Sequence, residues 1–391
     1  MTSLHQKFTV EYSYPVYFTN HLFALDNALF GEYLLNHSSP HTQHKVLFVI
    51  DDAIMSHHPQ LSNQIATYFK QLPQIRLIEE FVVVKGGEYA KNNQSELDKI
   101  IEAINQYGID RHSYVVGIGG GAVLDLVGFG STIAHRGVRH IRIPTTVLSQ
   151  NDSGIGVKNS INYKGKKNFL GTFSPAVAVF NDYEFLSTLP FRDWISGVSE
   201  AIKVALIKDL SFYRWIQQHA EELAQGNAEA IKYLIYRCAE LHLEHIRNGD
   251  PFEFGSSRPL DFGHWSAHKL EQVSNFEVLH GEAVSIGIAL DVVYSHEIGN
   301  LTRQEADEVL QLLHRLGLPI FHPLFLTSEN NNLLSDGLSE FREHLGGRLT
   351  IVLLEKLGLG KEYHELDLIL LTKSIIYLSE YQHKYLANEN R

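Results

Sequence analysis

The chain holds a single cysteine, Cys238, so it can form neither an intrachain disulfide nor a cysteine-rich zinc site. Cys238 falls in the helical spacing of YLIYRCAELHL and reads as a small core residue. Cations are in short supply. Thirty-three Lys and Arg against 45 Asp and Glu leave a formal net charge of −12, which argues against nucleic acid or an anionic membrane as the main partner. No apolar run reaches membrane-spanning length, and the opening MTSLHQKFTVEYSYPVYF has no charged-then-apolar leader pattern. A cytoplasmic protein is therefore expected. Internal repeats and low-complexity tracts are also lacking. What remains is an ordinary globular composition, 44% hydrophobic and 20% charged over 391 residues, long enough for two domains with substantial cores.

The first half alternates strand and helix signals. KVLFVIDD (45–52), RLIEEFVVVKGGE (76–88), HIRIPTT (140–146) and AVAVFND (176–182) read as strands, and 94–107 carries helical apolar spacing. Such alternation predicts a largely parallel sheet covered by helices. After Pro190 the texture turns helical, from SGVSEAIKVALIKD through GEAVSIGIALDVVYSHEIG to RQEADEVLQLLHRLG, with RLTIVLL (348–354) the one late strand signal. This predicts an α/β domain over 1–185, a mostly helical domain over 186–391, and a ligand cleft between the halves. Residues 153–172 have no apolar period and read as a long unstructured segment, either a functional loop or a solvated one.

Two features carry chemistry. SYVVGIGGGAVLD (113–125) is a β-branched run that ends in three glycines and passes into a helix with an acid one turn in. Glycines allow a sharp turn and close ligand approach, and the helix N-terminus aims N–H groups at an anion, so the stretch predicts a dinucleotide site. The second feature is Glu200 with His264, His268 and His280. His264 and His268 would share a helix face, but with 22 histidines about one such pair arises by chance, and His37 with His41 is another. The context says more than the spacing. Asp261-Phe262-Gly263 reads as a helix start, His280-Gly281-Glu282 precedes a second apolar helix, and Glu200 sits among small apolar residues, where a buried acid needs a cation. One carboxylate and two imidazoles with an open position form a common catalytic zinc arrangement.

Together GGGAVLDLVGF, HRGVRHIRIPTT, NDSGIGVKNS, GKKNFLG, FLSTLP, GVSEAIK, DFGHWSAHKLE and LHGEAV resemble the dehydroquinate synthase superfamily, the sugar phosphate cyclases, from about 45 to 360. The resemblance implies a Rossmann-like dinucleotide-binding α/β domain and a mostly helical metal-binding domain, with the active site between them. It implies a divalent metal, zinc or cobalt, on Glu200, His264 and His280, which leaves His268 facing substrate. NAD would be bound by Asp51, Glu88, Lys91, Gly119, Gly120, Gly121, Asp125, Thr145, Thr146, Lys167 and Leu189. Asp152, Lys158, Lys167, Asn168 and Lys203 match substrate-contacting positions, and Arg136 matches an arginine that reaches the neighbouring subunit, which implies a homodimer. The implied chemistry is redox-neutral: a hydroxyl is oxidised, phosphate leaves by β-elimination, the hydride returns, and an intramolecular aldol step closes a carbocycle.

Three positions depart from the dehydroquinate synthase pattern. Asp261 replaces an asparagine, His242 replaces a lysine, and His344 stands where a lysine is expected; around Arg258 the register is shifted by one residue. These changes remove cations and add an anion, which disfavours a substrate carboxylate. Asp261 and His344 instead resemble the pair of 2-epi-5-epi-valiolone synthases, so the expected substrate is sedoheptulose 7-phosphate. The alternatives are 3-dehydroquinate synthase and, further off, a metal-dependent alcohol or polyol dehydrogenase, which would release NADH.

Overall fold

The computed structural model describes residues 2–38, 43–254, 260–326, 333–344 and 347–389, without the side chains of 333–336, 344 and 385–389. The chain forms two compact units. One comprises residues up to Pro144 together with Val157–Glu184, and the other Thr145–Gly156 with Phe185 onward. No described helix is long and apolar enough to cross a membrane.

The first unit is Rossmann-like. Strands β1 (Val16–Thr19), β2 (His44–Asp51), β3 (Ile75–Leu77), β4 (Val82–Val84), β5 (Tyr114–Gly119) and β6 (Arg139–Pro144) are followed by β7 (Lys158–Tyr163), β8 (Lys166–Phe173) and β9 (Ala178–Asp182). The main sheet runs β1-β9-β6-β5-β2-β3, with β4 also on β2, and every pairing in it is parallel. All of β5 and β9 is buried, as expected for parallel strands covered on both faces. Strand order reverses between β2 and β5, so their carboxyl ends, at Asp51 and Gly119, flank the topological switch point where such sheets bind ligands.

Two sequence expectations change here. Residues 76–88 form two short strands rather than one. β3 pairs with the start of β2 and β4 with its end, and the exposed Glu79 and Glu80 carry the chain away between them. Residues 153–172 are largely structured, as the antiparallel hairpin β7–β8. Beside the buried Ile161 its buried side is polar: Asn159 accepts from Arg142 at 2.7 Å and donates to the Ser174 carbonyl at 2.8 Å. A hairpin that docks through asparagines shows no apolar period. It lies close on the helix Gly121–Ile133, where a Cβ on Gly128 would fall 1.6 Å from Asn159 Oδ1.

One group in this sheet makes stability depend on pH. His140 in β6 is fully buried, and burial, aided by Arg142, pushes its imidazole down to about 3. Between about pH 6.5 and 3 the unfolded chain takes up a proton that the folded chain refuses, so stability falls as pH drops through that window. The expected slope from this residue approaches about 1.4 kcal/mol per pH unit. Urea midpoints measured from pH 7 to 4 should fall less steeply for His140→Gln than for the wild type; parallel curves would contradict this.

The second unit is mostly helical. The helix His280–Glu297 is buried on all sides from Ala283 to Ser295, as expected of a helix at the centre of a core. Cys238 is buried on the helix Ala228–Asn248. The late strand β10 (Ile351–Lys356) pairs antiparallel with β11 (Leu359–Tyr363). The segment Thr145–Gly156 belongs with this unit: Asn151 donates to the Gly197 carbonyl at 2.9 Å, and a Cβ on Gly197 would meet the Leu148 amide at 2.5 Å.

Candidate functional site

In the helical unit, glycines let three elements meet. Gly263 has a left-handed φ of 76° and precedes the helix His264–Val273. Its N–H donates to Asp291 at 2.8 Å, and the Trp265 indole donates to the other oxygen of the same carboxylate at 3.0 Å. Burial pushes Asp291 up to about 7. Gly287 passes so near that a Cβ there would fall 1.9 Å from the Gly263 carbonyl, and a Cβ on Gly281 would fall 1.9 Å from the Ser196 carbonyl. His264 and His280, each the first residue of its helix, are thereby brought to Glu200 on the helix Val198–Lys208. Gly287→Ala should therefore push the Gly263 turn away, costing about 3 kcal/mol and loosening His264. A urea midpoint equal to that of the wild type would refute this crossing.

Glu200 is wholly buried, and both His264 Nε2 and His280 Nε2 lie 3.5 Å from its Oε1, which no hydrogen bond satisfies. That is long for a hydrogen bond. It is close to the roughly 3.3 Å that separates N and O ligands on one tetrahedral ion at 2.0–2.1 Å. The ring nitrogens are prepared for it. His264 Nδ1 faces the Phe262 carbonyl at 3.1 Å and His280 Nδ1 faces Glu271 Oε2 at 3.0 Å. Both partners only accept, so each Nδ1 donates, which leaves Nε2, the nitrogen that faces Glu200, as the one that could ligate a cation. These three residues fit a divalent cation. His268, the i+4 partner of His264, contributes instead to a neighbouring cluster with Glu271 and His280.

The charge balance supports this fit. Burial would raise the Glu200 carboxyl, but Lys203, paired with Oε2, holds it well below the usual carboxylate range. Lys203 is 3% exposed; burial would lower its ammonium, but Glu200, Asp152 and Asp261 raise it. Asp152 is lowered because His242 and Lys203 outweigh its burial and the Glu200 charge. His242 Nδ1 stands 2.8 Å from Asp152 Oδ1, so His242 faces a carboxylate of the cluster.

In the α/β unit the glycines at 119–121 join the end of β5 to a helix. The helix Gly121–Ile133 begins with no side-chain cap, leaving its first amides for a ligand anion. A Cβ on Gly119 would lie 3.3 Å from Asp51 Cβ, which places the end of β2 beside that turn. Burial pushes Asp51 up to about 6. Lys91, 4% exposed, donates to Asp125 at 2.7 Å, Ser160 at 3.0 Å and Asn168. Lys167 is 3.8 Å from Glu88, which also accepts from Asn162 at 2.9 Å. Sequence positions 77 residues apart thus form one polar network.

The remaining predicted residues are more dispersed. Lys158 is exposed at the start of β7, and Arg136 is exposed on a turn with φ 63°. Thr145, Thr146 and Leu189 fall in the helical unit, where Thr146 bonds Ser149. Asp261 is half-buried and its carbonyl accepts from the His264 amide at 3.0 Å. Arg258 and the side chain of His344 lie outside the described residues. Sequence reasoning missed Glu271 and Asp291. Each had a signal: Glu271 lies seven residues after His264, on the same helix face, and Asp291 is a lone acid in the apolar run AVSIGIALDVVY.

Residues 81–196 match the family described as 3-dehydroquinate synthase N-terminal, and 197–336 that described as 3-dehydroquinate synthase C-terminal. A 3-dehydroquinate synthase of Shewanella frigidimarina (strain NCIMB 400) is 31% identical over 371 residues, 93% of this chain and 96% of its own. The structure of ValA, the 2-epi-5-epi-valiolone synthase of Streptomyces hygroscopicus subsp. jinggangensis 5008, holds NAD+ and Zn2+. It matches with a TM-score of 0.86 at 28% identity, over 97% of this chain and 100% of that one. A 2-deoxy-scyllo-inosose synthase complexed with carbaglucose-6-phosphate, NAD+ and Co2+ shares the fold, with a TM-score of 0.74 at 20% identity over 92% and 95%.

Proposed function

The chain belongs to the 3-dehydroquinate synthase family, and from that premise we propose that it is an NAD- and metal-dependent cyclase acting on sedoheptulose 7-phosphate. The observation that carries the metal reading is the wholly buried Glu200 Oε1 with two imidazole Nε2 atoms 3.5 Å away. The substrate reading is supported by the whole-chain likeness to a valiolone synthase and by His242 and Asp261 where lysine and asparagine are usual.

Glu200, His264 and His280 would hold zinc or cobalt, and the uncapped helix at Gly120–Gly121 with Asp51 would hold the dinucleotide. When bound, these groups supply Lewis acidity at a substrate hydroxyl and a hydride acceptor that later returns what it took. The chain's own residues do the rest. Lys203 offsets the negative charge of Glu200 and Asp152, so the buried cluster stays ionised in the folded state. His268, half-buried with its ring 5.4 Å from that of His264, is the group available to take a proton from the reacting hydroxyl at a ring nitrogen. Lys158 and Lys167 are the cations for a phosphate, which binds best to charged donors. Arg136 is proposed to complete the site of a second copy in a homodimer.

A second reading, 3-dehydroquinate synthase, is favoured by the 31% identical relative of that name. The test incubates the protein, NAD and zinc or cobalt with sedoheptulose 7-phosphate or with the carboxylated seven-carbon precursor of dehydroquinate, and measures released phosphate and carbocycle. Phosphate release without net NADH is expected. Stoichiometric growth of the NADH absorbance would move the protein to the dehydrogenases.

A further inference from the structure

The two imidazoles that face Glu200 are not backed alike. His264 Nδ1 meets a neutral backbone carbonyl, whereas His280 Nδ1 meets a carboxylate, Glu271 Oε2, at 3.0 Å. Glu271 is 2% exposed, and it lies on the helix that His264 begins. Burying an ionised carboxylate is costly unless it is paired. Here the pairing ties the helix that carries one imidazole to the residue that supplies the other. We infer that Glu271 is a positioning residue for the metal: it fixes the ring orientation of His280, keeps its proton on Nδ1, and strengthens Nε2 as a donor.

The inference rests on the metal reading above and adds an asymmetry to it. A carboxylate behind a ligating histidine polarises the ring N–H and increases electron density at the far nitrogen, and loss of such a partner typically weakens metal binding about 10- to 100-fold. Gln at position 271 keeps an acceptor oxygen but no charge, whereas Ala keeps neither. The two variants therefore separate alignment from charge.

The experiment is zinc affinity by chelator competition, with the visible absorption of the cobalt-loaded protein as a second readout, on wild type, Glu271→Ala, Glu271→Gln and His280→Ala. Wild type should bind one ion. Glu271→Ala should bind it roughly 10- to 100-fold more weakly with shifted cobalt bands, and Glu271→Gln should fall between the two. Should the alanine variant not fold, the glutamine variant carries the test: an affinity and cobalt spectrum identical to wild type would overturn the inference. So would an alanine variant that matches wild type. Loss in both variants as complete as in His280→Ala would make Glu271 a ligand, and would overturn it too. A wild type that binds no ion overturns the metal reading and this inference together.

Discussion

Replacing His280 with alanine should strip the protein of its metal and cut turnover by about a thousandfold or more, while the helical unit keeps its fold. The ligand set drops from three to two, leaving Glu200 Oε1 and His264 Nε2, and two ligands do not hold a catalytic ion. A metal that polarises a reacting oxygen contributes several kcal/mol to the transition state, and about 4 kcal/mol corresponds to about a thousandfold in rate. The fold should survive because His280 is partly exposed at the first turn of a helix whose buried stretch runs from Ala283 to Ser295. The local cost falls on Glu271, which loses the Nδ1–H partner of a 2% exposed carboxylate. That cost is about 1–3 kcal/mol, and His268, in the same cluster, can meet part of it. Elemental analysis and far-ultraviolet circular dichroism check the two halves of the prediction. Full metal content in the variant would refute the ligand assignment.

How much of this could be read from the chain depends on what each residue type signals. The apolar runs of β2, β5, β6 and β9 announced buried parallel strands because both faces of such strands are covered. The glycine turn at 119–121 and the starts of the helices at His264 and His280 were equally plain. The hairpin β7–β8 was not. Of the buried side chains of β7, Ile161 alone is apolar, and Asn159, Ser160 and Asn162 satisfy polar partners, so no hydrophobic period results. β1 is four residues long and owes its place to pairing with β9, a contact remote in sequence. At the site, residue types were legible from the chain itself, and the grouping of Glu200, His264 and His280 only through the family resemblance. The i, i+4 spacing offers His264 only His268, whereas three-dimensional packing also brings His280, sixteen positions on, to His264 and Glu200. That packing depends on Gly281 and Gly287, whose missing side chains leave no pattern of their own.

Sedoheptulose 7-phosphate should be turned over, and the carboxylated seven-carbon precursor of dehydroquinate disfavoured about a hundredfold. The reason is the local charge. Lys203 is drawn toward its protonated form by three carboxylates, Glu200, Asp152 and Asp261, and His242 rather than a lysine faces Asp152. A bound divalent ion would be largely balanced by that set, leaving little positive charge for a substrate carboxylate. Asp261 meeting a sugar hydroxyl accepts a hydrogen bond with a net gain. Asp261 meeting a carboxylate at about 4 Å, in an effective dielectric of about 20, costs roughly 4 kcal/mol, near a thousandfold in binding. Water and side-chain adjustment reduce that to about a hundredfold, because Asp261 is only half-buried. Asp261→Asn removes the repulsion and weakens the acceptor, so it should narrow the gap between the substrates mainly by slowing the sedoheptulose reaction. Phosphate release measured for both substrates, with wild type and variant, gives the ratio directly. If the wild-type protein converts the carboxylated substrate efficiently, Asp261 and His242 do not read charge in this way, and 3-dehydroquinate synthase becomes the better reading.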